Sequence, residues 1–202
     1  MKKQLISPDA SYTFFDYFKL DATTEEVLEY FGVSFETESL KLPYSQHELD
    51  RLENLLIRLE ESFSLVGMTN ETARREFLIA PVISEAAHYA KAKIRVEYVL
   101  DAGPQLKGSL DYFLKSKNNL LVVEAKNADL TKGFTQMSVE LLAIDKLMDE
   151  DTNLLYGTVS LGNIWQFGTL DRKGKKVTQD LNVYSVPADV EDLLRILIGI
   201  LE

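Results

Sequence analysis

The 202-residue sequence contains no cysteine. Disulfide scaffolds and thiolate metal sites are thereby excluded, and a reducing compartment, the cytoplasm, is the expected location. Histidine is scarce as well. His47 and His88 are the only two, too few for a zinc shell built on imidazole. Long hydrophobic runs are missing. The most apolar stretch, Leu193 to Leu201, is short and carries Arg195, so no bilayer span and no membrane partner are expected. The opening MKKQLISPDASY has two lysines but no apolar segment behind them to act as a signal peptide. Positive charge is in deficit: 22 Lys and Arg stand against 32 Asp and Glu, a net charge of −10. That balance argues against coating nucleic acid by broad phosphate neutralisation, although a local groove is compatible with it. The one compact basic cluster, Arg172-Lys173-Gly174-Lys175-Lys176, reads as a solvated hairpin tip. The opposite extreme is Asp149-Glu150-Asp151.

What is present supports a real core, since 46% of residues are hydrophobic. The first third reads helical. Thr23-Thr24-Glu25-Glu26 and Ser45-Gln46-His47-Glu48 both match the Ser/Thr-x-x-Glu capping box. Leu49, Leu52, Leu56, Leu59 and Phe63 then follow at helical spacing. A further helix is expected from Asn70, with Pro81 bending or restarting it. The hydrophobic period changes at residue 93. Strands are predicted near 93–100, 108–115 and 120–126, with turns at Gly103-Pro104 and Lys117-Asn118-Asn119. A helix follows over about 133–148, then strands over 154–160 and 164–170, and a last helix near Pro187. The fold class is therefore α/β. The expected division is an N-terminal helical extension, residues 1–65, packed on a domain of residues 66–202.

The third strand, Leu120 to Ala125, is apolar on both faces until Glu124, as suits the middle of a sheet. Charge is costly to bury there. Side chains two apart share a strand face, so Glu124 and Lys126 lie side by side. The short turn makes strands two and three antiparallel neighbours, which brings Asp111 across from Glu124. Two carboxylates held so closely repel, and a proton or a hard divalent cation relieves the repulsion. A lysine one pleat away can orient a water or stabilise charge on a reacting phosphate.

Asp111…Glu124-Ala125-Lys126 resembles the catalytic signature of the PD-(D/E)xK nuclease superfamily, the restriction-endonuclease-like fold. The order of helix, three antiparallel strands, helix, strand, strand agrees with that core. The stretch NETARREFLIAP, residues 70 to 81, is similar to the first-helix motif in nuclease domains of type I restriction enzyme motor subunits. Gly133-Phe134-Thr135-Gln136 resembles the motif that lays a glutamine over the site. Gly157 to Phe167 is similar to the glycine-tryptophan hairpin of the same relatives. The resemblance covers residues 70 to 171 and implies Mg²⁺, with Mn²⁺ as substitute, held by Asp111, Glu124 and Glu71. It implies catalytic roles for Asp111, Glu124, Lys126 and Gln136. Glu85 is a second acid on the same helix that could serve in place of Glu71. The proline that names the motif is absent, Leu110 standing there.

Two functions follow as expectations. One is a Mg²⁺-dependent nuclease on DNA, with RNA as the other polymer, binding nucleic acid weakly without a partner protein. The other is a non-catalytic module of the same fold that binds a protein partner. A homodimer is compatible with either.

Overall fold

The structure, a computed structural model, describes residues 5–117, 119–126, 128–148 and 152–202. Asn118 of the turn read at 117–119, and the acidic run 149–151, lie outside the described residues. One mixed sheet of seven strands organises the chain. In chain order these are β1 (Ser34–Glu38), β2 (Lys93–Asp101), β3 (Lys107–Lys115), β4 (Leu120–Ala125), β5 (Leu154–Ser160), β6 (Ile164–Asp171) and β7 (Lys176–Ser185). Their order across the sheet is β1-β7-β6-β5-β4-β3-β2. β2, β3 and β4 are antiparallel neighbours, as are β5, β6 and β7. β4 runs parallel to β5, and β1 runs parallel to β7.

A parallel step needs a crossover. The helix α6 (Leu130–Leu147) provides the one from β4 to β5. With α1 (Phe14–Lys19) and α2 (Thr24–Tyr30) it covers one face of the sheet, over Val122, Phe113 and Leu155. The other face packs Leu121, Val123 and Ala125 under α3 (Leu52–Leu65), α5 (Ala80–Ala90) and α7 (Val190–Leu201). All six residues of β4 are buried, because helices close both faces over it. Among the described residues no helix is long and apolar enough to cross a membrane.

The strands predicted from residue 93 to 170 and the helix predicted at 133–148 coincide with β2 to β6 and α6 within a few residues. Thr23 caps α2 as its box requires, with the Glu26 amide donating to its hydroxyl at 3.2 Å. Pro81 restarts the helix that Asn70 caps. A short α4 (Glu71–Arg74) passes through a π-helical turn, Arg75–Ile79, into α5, with proline in the first turn of α5. Proline has no N–H to give the Phe77 carbonyl, and the turn ahead of it is wide.

Three expectations fail. The first third is not wholly helical, since Ser34–Glu38 is a strand. Its sequence SFETE is almost entirely exposed at the sheet edge, so it carries little apolar alternation. The second capping box starts no helix. The Ser45 hydroxyl instead accepts the His47 amide at 3.3 Å and donates to Glu202 at 3.1 Å, tying the segment to α7, and α3 begins only at Leu52. A seventh strand, Lys176–Ser185, follows the basic tip. Polar residues dominate its first half, Lys176 to Asp180, which hides it. The tip is also less free than expected. Arg172 is drawn inward onto Asp145 at 2.5 Å and onto the Thr152 and Met148 carbonyls, and Lys176 pairs with Glu36 at 2.8 Å.

The pairing of Gly157 with Gly168 lets α6 settle onto β5 and β6. A Cβ on Gly168 would stand 2.6 Å from the Phe134 ring, which is fully buried and has no room to swing aside. Gly168→Ala should cost about 1–3 kcal/mol by overpacking. Urea unfolding should show this, and the loss should shrink when Phe134→Leu is present as well.

Candidate active site

The β3–β4 ladder closes at Tyr112 opposite Val123. One step further the strands are joined differently. The Ala125 amide donates to Asp111 Oδ2 at 2.9 Å, so a carboxylate stands where a ladder carbonyl would be. The Lys126 amide donates to the Ser160 carbonyl of β5 at 2.8 Å, which carries the strand direction one residue past β4. Asp111 and the Glu124–Lys126 pair are thus fixed by backbone on both sides.

Glu124 is buried at 1% exposure. Its Oε1 accepts from the Lys126 ammonium and, at 2.6 Å, from Gln136 Nε2 of α6. Gln136 reaches so far because α6 passes close over the strand end. A Cβ on Gly133 would lie 3.0 Å from Lys126 Cγ and 2.8 Å from Val159, space that only glycine leaves open. One turn beyond Gln136, Glu140 is also fully buried and accepts from the same Nε2 at 2.9 Å. One oxygen of Glu124 and one of Glu140 are buried without a hydrogen-bond partner among the described residues.

The electrostatics follow from burial. Burial and the Glu140 and Asp111 carboxylates push Glu124 well above the usual carboxylate range. Burial pushes Glu140 up to about 8. Burial also raises Asp111, against the pull of Lys126 and the Ala125 amide. Burial opposes the Lys126 charge, but Glu124 outweighs it and holds the ammonium above its ordinary value. Glu71, at the start of α4, is raised by burial while feeling both Lys126 and Asp111, which puts it at the rim of the cluster.

Asp111, Glu124, Lys126 and Gln136, singled out in the sequence, therefore meet at one place, with Glu71 nearby. Glu85 does not join them. It is buried under α3, with Arg51 at 2.9 Å and Arg58 at 2.8 Å on the same oxygen. Two members escaped the sequence reading. Glu140 could have been found as the residue one helical turn after Gln136. Arg75, on the π-helical turn, pairs with Glu97 at 2.7 Å and lies 3.4 Å from Asp111 Oδ1. Nothing in its local sequence distinguishes it from Arg74, which donates to the Leu161 carbonyl at 2.8 Å and holds the β5–β6 turn.

The donor set suits a hard divalent cation. Such an ion takes one or two carboxylates and completes its shell with water and phosphate oxygen. Asp111 and Glu124 offer two carboxylates, and the unpartnered Glu124 oxygen gives a ligand position that no protein donor fills. Among the described residues, no three His, Cys, Asp or Glu side chains group as a complete protein shell.

No family model and no curated protein matches the chain. Among solved structures it is similar to the cryo-EM structure of the DrdV–DNA complex, with a TM-score of 0.48 and 14% identity over 77% of this chain. The chain spans only 14% of that protein's length, and a likeness of this order bears on neither activity nor substrate.

Because the folded value of Glu140 lies above its ordinary 4.5, the fold disfavours its charged form. The stability it allows is full below about pH 4.5, falls as pH rises, and is lost above about pH 8. Glu140→Gln keeps an acceptor for Gln136 without the charge. In metal-free buffer it should raise stability near pH 8.5 by on the order of 2–5 kcal/mol and change little near pH 4.5. Urea midpoints at the two pH values check both the sign and the window.

Proposed function

We propose that the chain is a Mg²⁺-dependent nuclease that hydrolyses phosphodiester bonds of DNA, with Mn²⁺ as substitute and RNA as the other candidate polymer. What supports this is the convergence of Asp111, Glu124, Lys126 and Gln136 around a buried, unpartnered carboxylate oxygen. The sequence resemblance to PD-(D/E)xK nucleases points to the same four residues. In this proposal residues 66–202 carry the chemistry and residues 1–65 pack on them.

Asp111 and Glu124 would hold the ion, with Glu71 assisting from α4. A cation held there supplies Lewis acidity toward a phosphate oxygen. Lys126 keeps its proton under the influence of Glu124 and can donate to the attacking water or to charge gathering on the phosphate. Gln136 fixes the Glu124 carboxylate against rotation and bridges it to Glu140 through the same Nε2. Water attacks phosphorus and the sugar oxygen leaves. With a net charge of −10, few cations can face the polymer, so binding to plain duplex should be weak and salt-sensitive.

A non-catalytic module that binds a protein partner or a second copy is the other reading. One observation favours it. Both Asp111 oxygens are already engaged, one by the Ala125 amide and one by Arg75.

Lys126→Ala should lower cleavage by about a hundredfold or more, the scale of removing one preorganised donor to a transition state. It should leave the rise in melting temperature with Mn²⁺ largely intact. Asp111→Asn should lose both cleavage and the metal-dependent shift, since an amide is a poorer ligand. The assay is a panel of single-stranded, duplex and branched DNA at low salt with Mg²⁺ or Mn²⁺. No cleavage by wild type across that panel transfers the case to the binding module. Cleavage by Lys126→Ala equal to wild type places any activity elsewhere.

A further inference from the structure

The helix α1 lies outside the part of the chain that resembles the nuclease family, yet it touches the site. Two of its aromatic residues do ordinary work. Phe14 and Tyr17 are buried in the core beneath it. The other two do not. Phe15 is 51% exposed and Phe18 is only half-buried, although burial of an aromatic ring is among the larger gains open to a fold. Their rings stack on each other, centroids 6.0 Å apart and planes 9° from parallel. The Lys19 ammonium lies 4.1 Å from the centre of the Phe15 ring. The Lys126 ammonium lies 5.2 Å from the Phe18 centre and 5.9 Å from that of Phe15. The ammonium that donates to Glu124 therefore borders an outward-facing aromatic pair.

We infer that Phe15 and Phe18 form a stacking platform for an unpaired nucleobase, so that the substrate of the site is single-stranded, or locally unpaired, nucleic acid. This rests on the nuclease proposed above. Three observations carry it. Phe15 is half exposed, and the long Lys19 side chain over it can swing off to leave a π-face for a base, whereas in a duplex both faces of each base are already covered by its neighbours. Lys19, exposed beside the rings, has the charge that the phosphate of a stacked nucleotide requires, and the buried Lys126 places the same rings at the edge of the site. The chain as a whole is acidic, so affinity must come from something other than broad phosphate neutralisation, and stacking does not depend on net charge. Two rings set between two ammonium groups suit a base with its phosphate better than they suit an apolar protein surface.

The test measures binding of a fluorescent single strand, and of a duplex of the same sequence, to the full chain without divalent cations. The single strand carries 2-aminopurine, whose emission falls on stacking. Phe15→Ala should weaken single-strand binding by about 5- to 100-fold, the scale of one base–aromatic stack. It should also remove the quench and change duplex binding by less than about twofold. Phe15→Leu keeps apolar bulk without a π-face and should lose as much, while Phe15→Trp should bind as wild type does. Thermal melts confirm that each variant folds. Unchanged single-strand affinity in Phe15→Ala, full affinity in Phe15→Leu, or wild-type preference for duplex would each overturn the inference. Cleavage measured on the same strands separates the two proposals. Cutting that needs Lys126 but is indifferent to Phe15 removes the platform and leaves the nuclease. Failure to bind any strand overturns both and favours a protein partner.

Discussion

A carboxylate and an ammonium sit inside the protein at the end of its most buried strand, and much of the local structure is arranged to make that tolerable. Glu124 and Lys126 are both nearly inaccessible, at 1% and 5%. Burying an ion costs several kcal/mol unless charge and hydrogen bonds compensate. Here the compensation comes from three elements. Lys126 faces Glu124, Gln136 comes down from α6, and Asp111 replaces the last rung of the β3–β4 ladder. Gly133 is part of the same solution, because any side chain there would press on Val159 and Lys126 and lift α6 away from the reach of Gln136. A pair that merely ended a strand in water would need none of this.

Several backbone irregularities lie beside this site, although Lys91 at the end of α5 and Lys175 in the turn before β7 also have positive φ. The π-helical turn carries Arg75 to Asp111 and Glu97. Glu97 itself has φ of +51° inside β2, and Asp129, which caps α6 beside the site, has φ of +63°. For residues with a side chain such angles are uncommon, and surrounding contacts must hold them. Glu97 is held by Arg75. Asp129 is held by the amide of Lys132, which donates to its carboxylate at 3.0 Å. Irregular backbone at three separate elements, all aimed at one cluster, is consistent with a site whose geometry was selected over local regularity.

Much of this was legible in the sequence because the core strands are strongly patterned. Leu120 to Val123 could only be a buried strand, and the spacing of Glu124 and Lys126 then fixed their common side. The residues that were missed lack such a signal. β1 is an exposed edge strand with one apolar residue, Phe35, so its place beside β7 is set by tertiary pairing more than by its own hydrophobicity. β7 shows apolar alternation only in fragments. Glu140 looks like any helix glutamate until the helix is seen to be covered on both sides, by the sheet and by α1 and α2. Glu85 shows the converse. Its position on the helix that follows Glu71 invited a metal role, but the arginines that neutralise it belong to α3, and no local pattern links Arg51 and Arg58 to it.

Charge counting within the cluster shows how the proposed chemistry fits an acidic protein. Glu71, Asp111, Glu124 and Glu140 bring four carboxylates, Lys126 and Arg75 bring two cations, and Arg75 is shared with Glu97. The excess is negative in a region of low dielectric, where mutual repulsion is felt strongly. Burial raises all four carboxylates, the repulsion adds to it, and protons relieve both at low pH. The divalent cation of the proposed nuclease would relieve the repulsion without protonation and would restore a positive field toward the substrate. On the proposal of a bound divalent ion, protons and cation would compete for the same acids, and affinity for the ion would rise with pH as the carboxylates ionise. The overall charge of −10 then ceases to be an objection to nucleic-acid chemistry. The acidity that repels a polymer at long range includes, at short range, the groups that would hold the ion a phosphate needs.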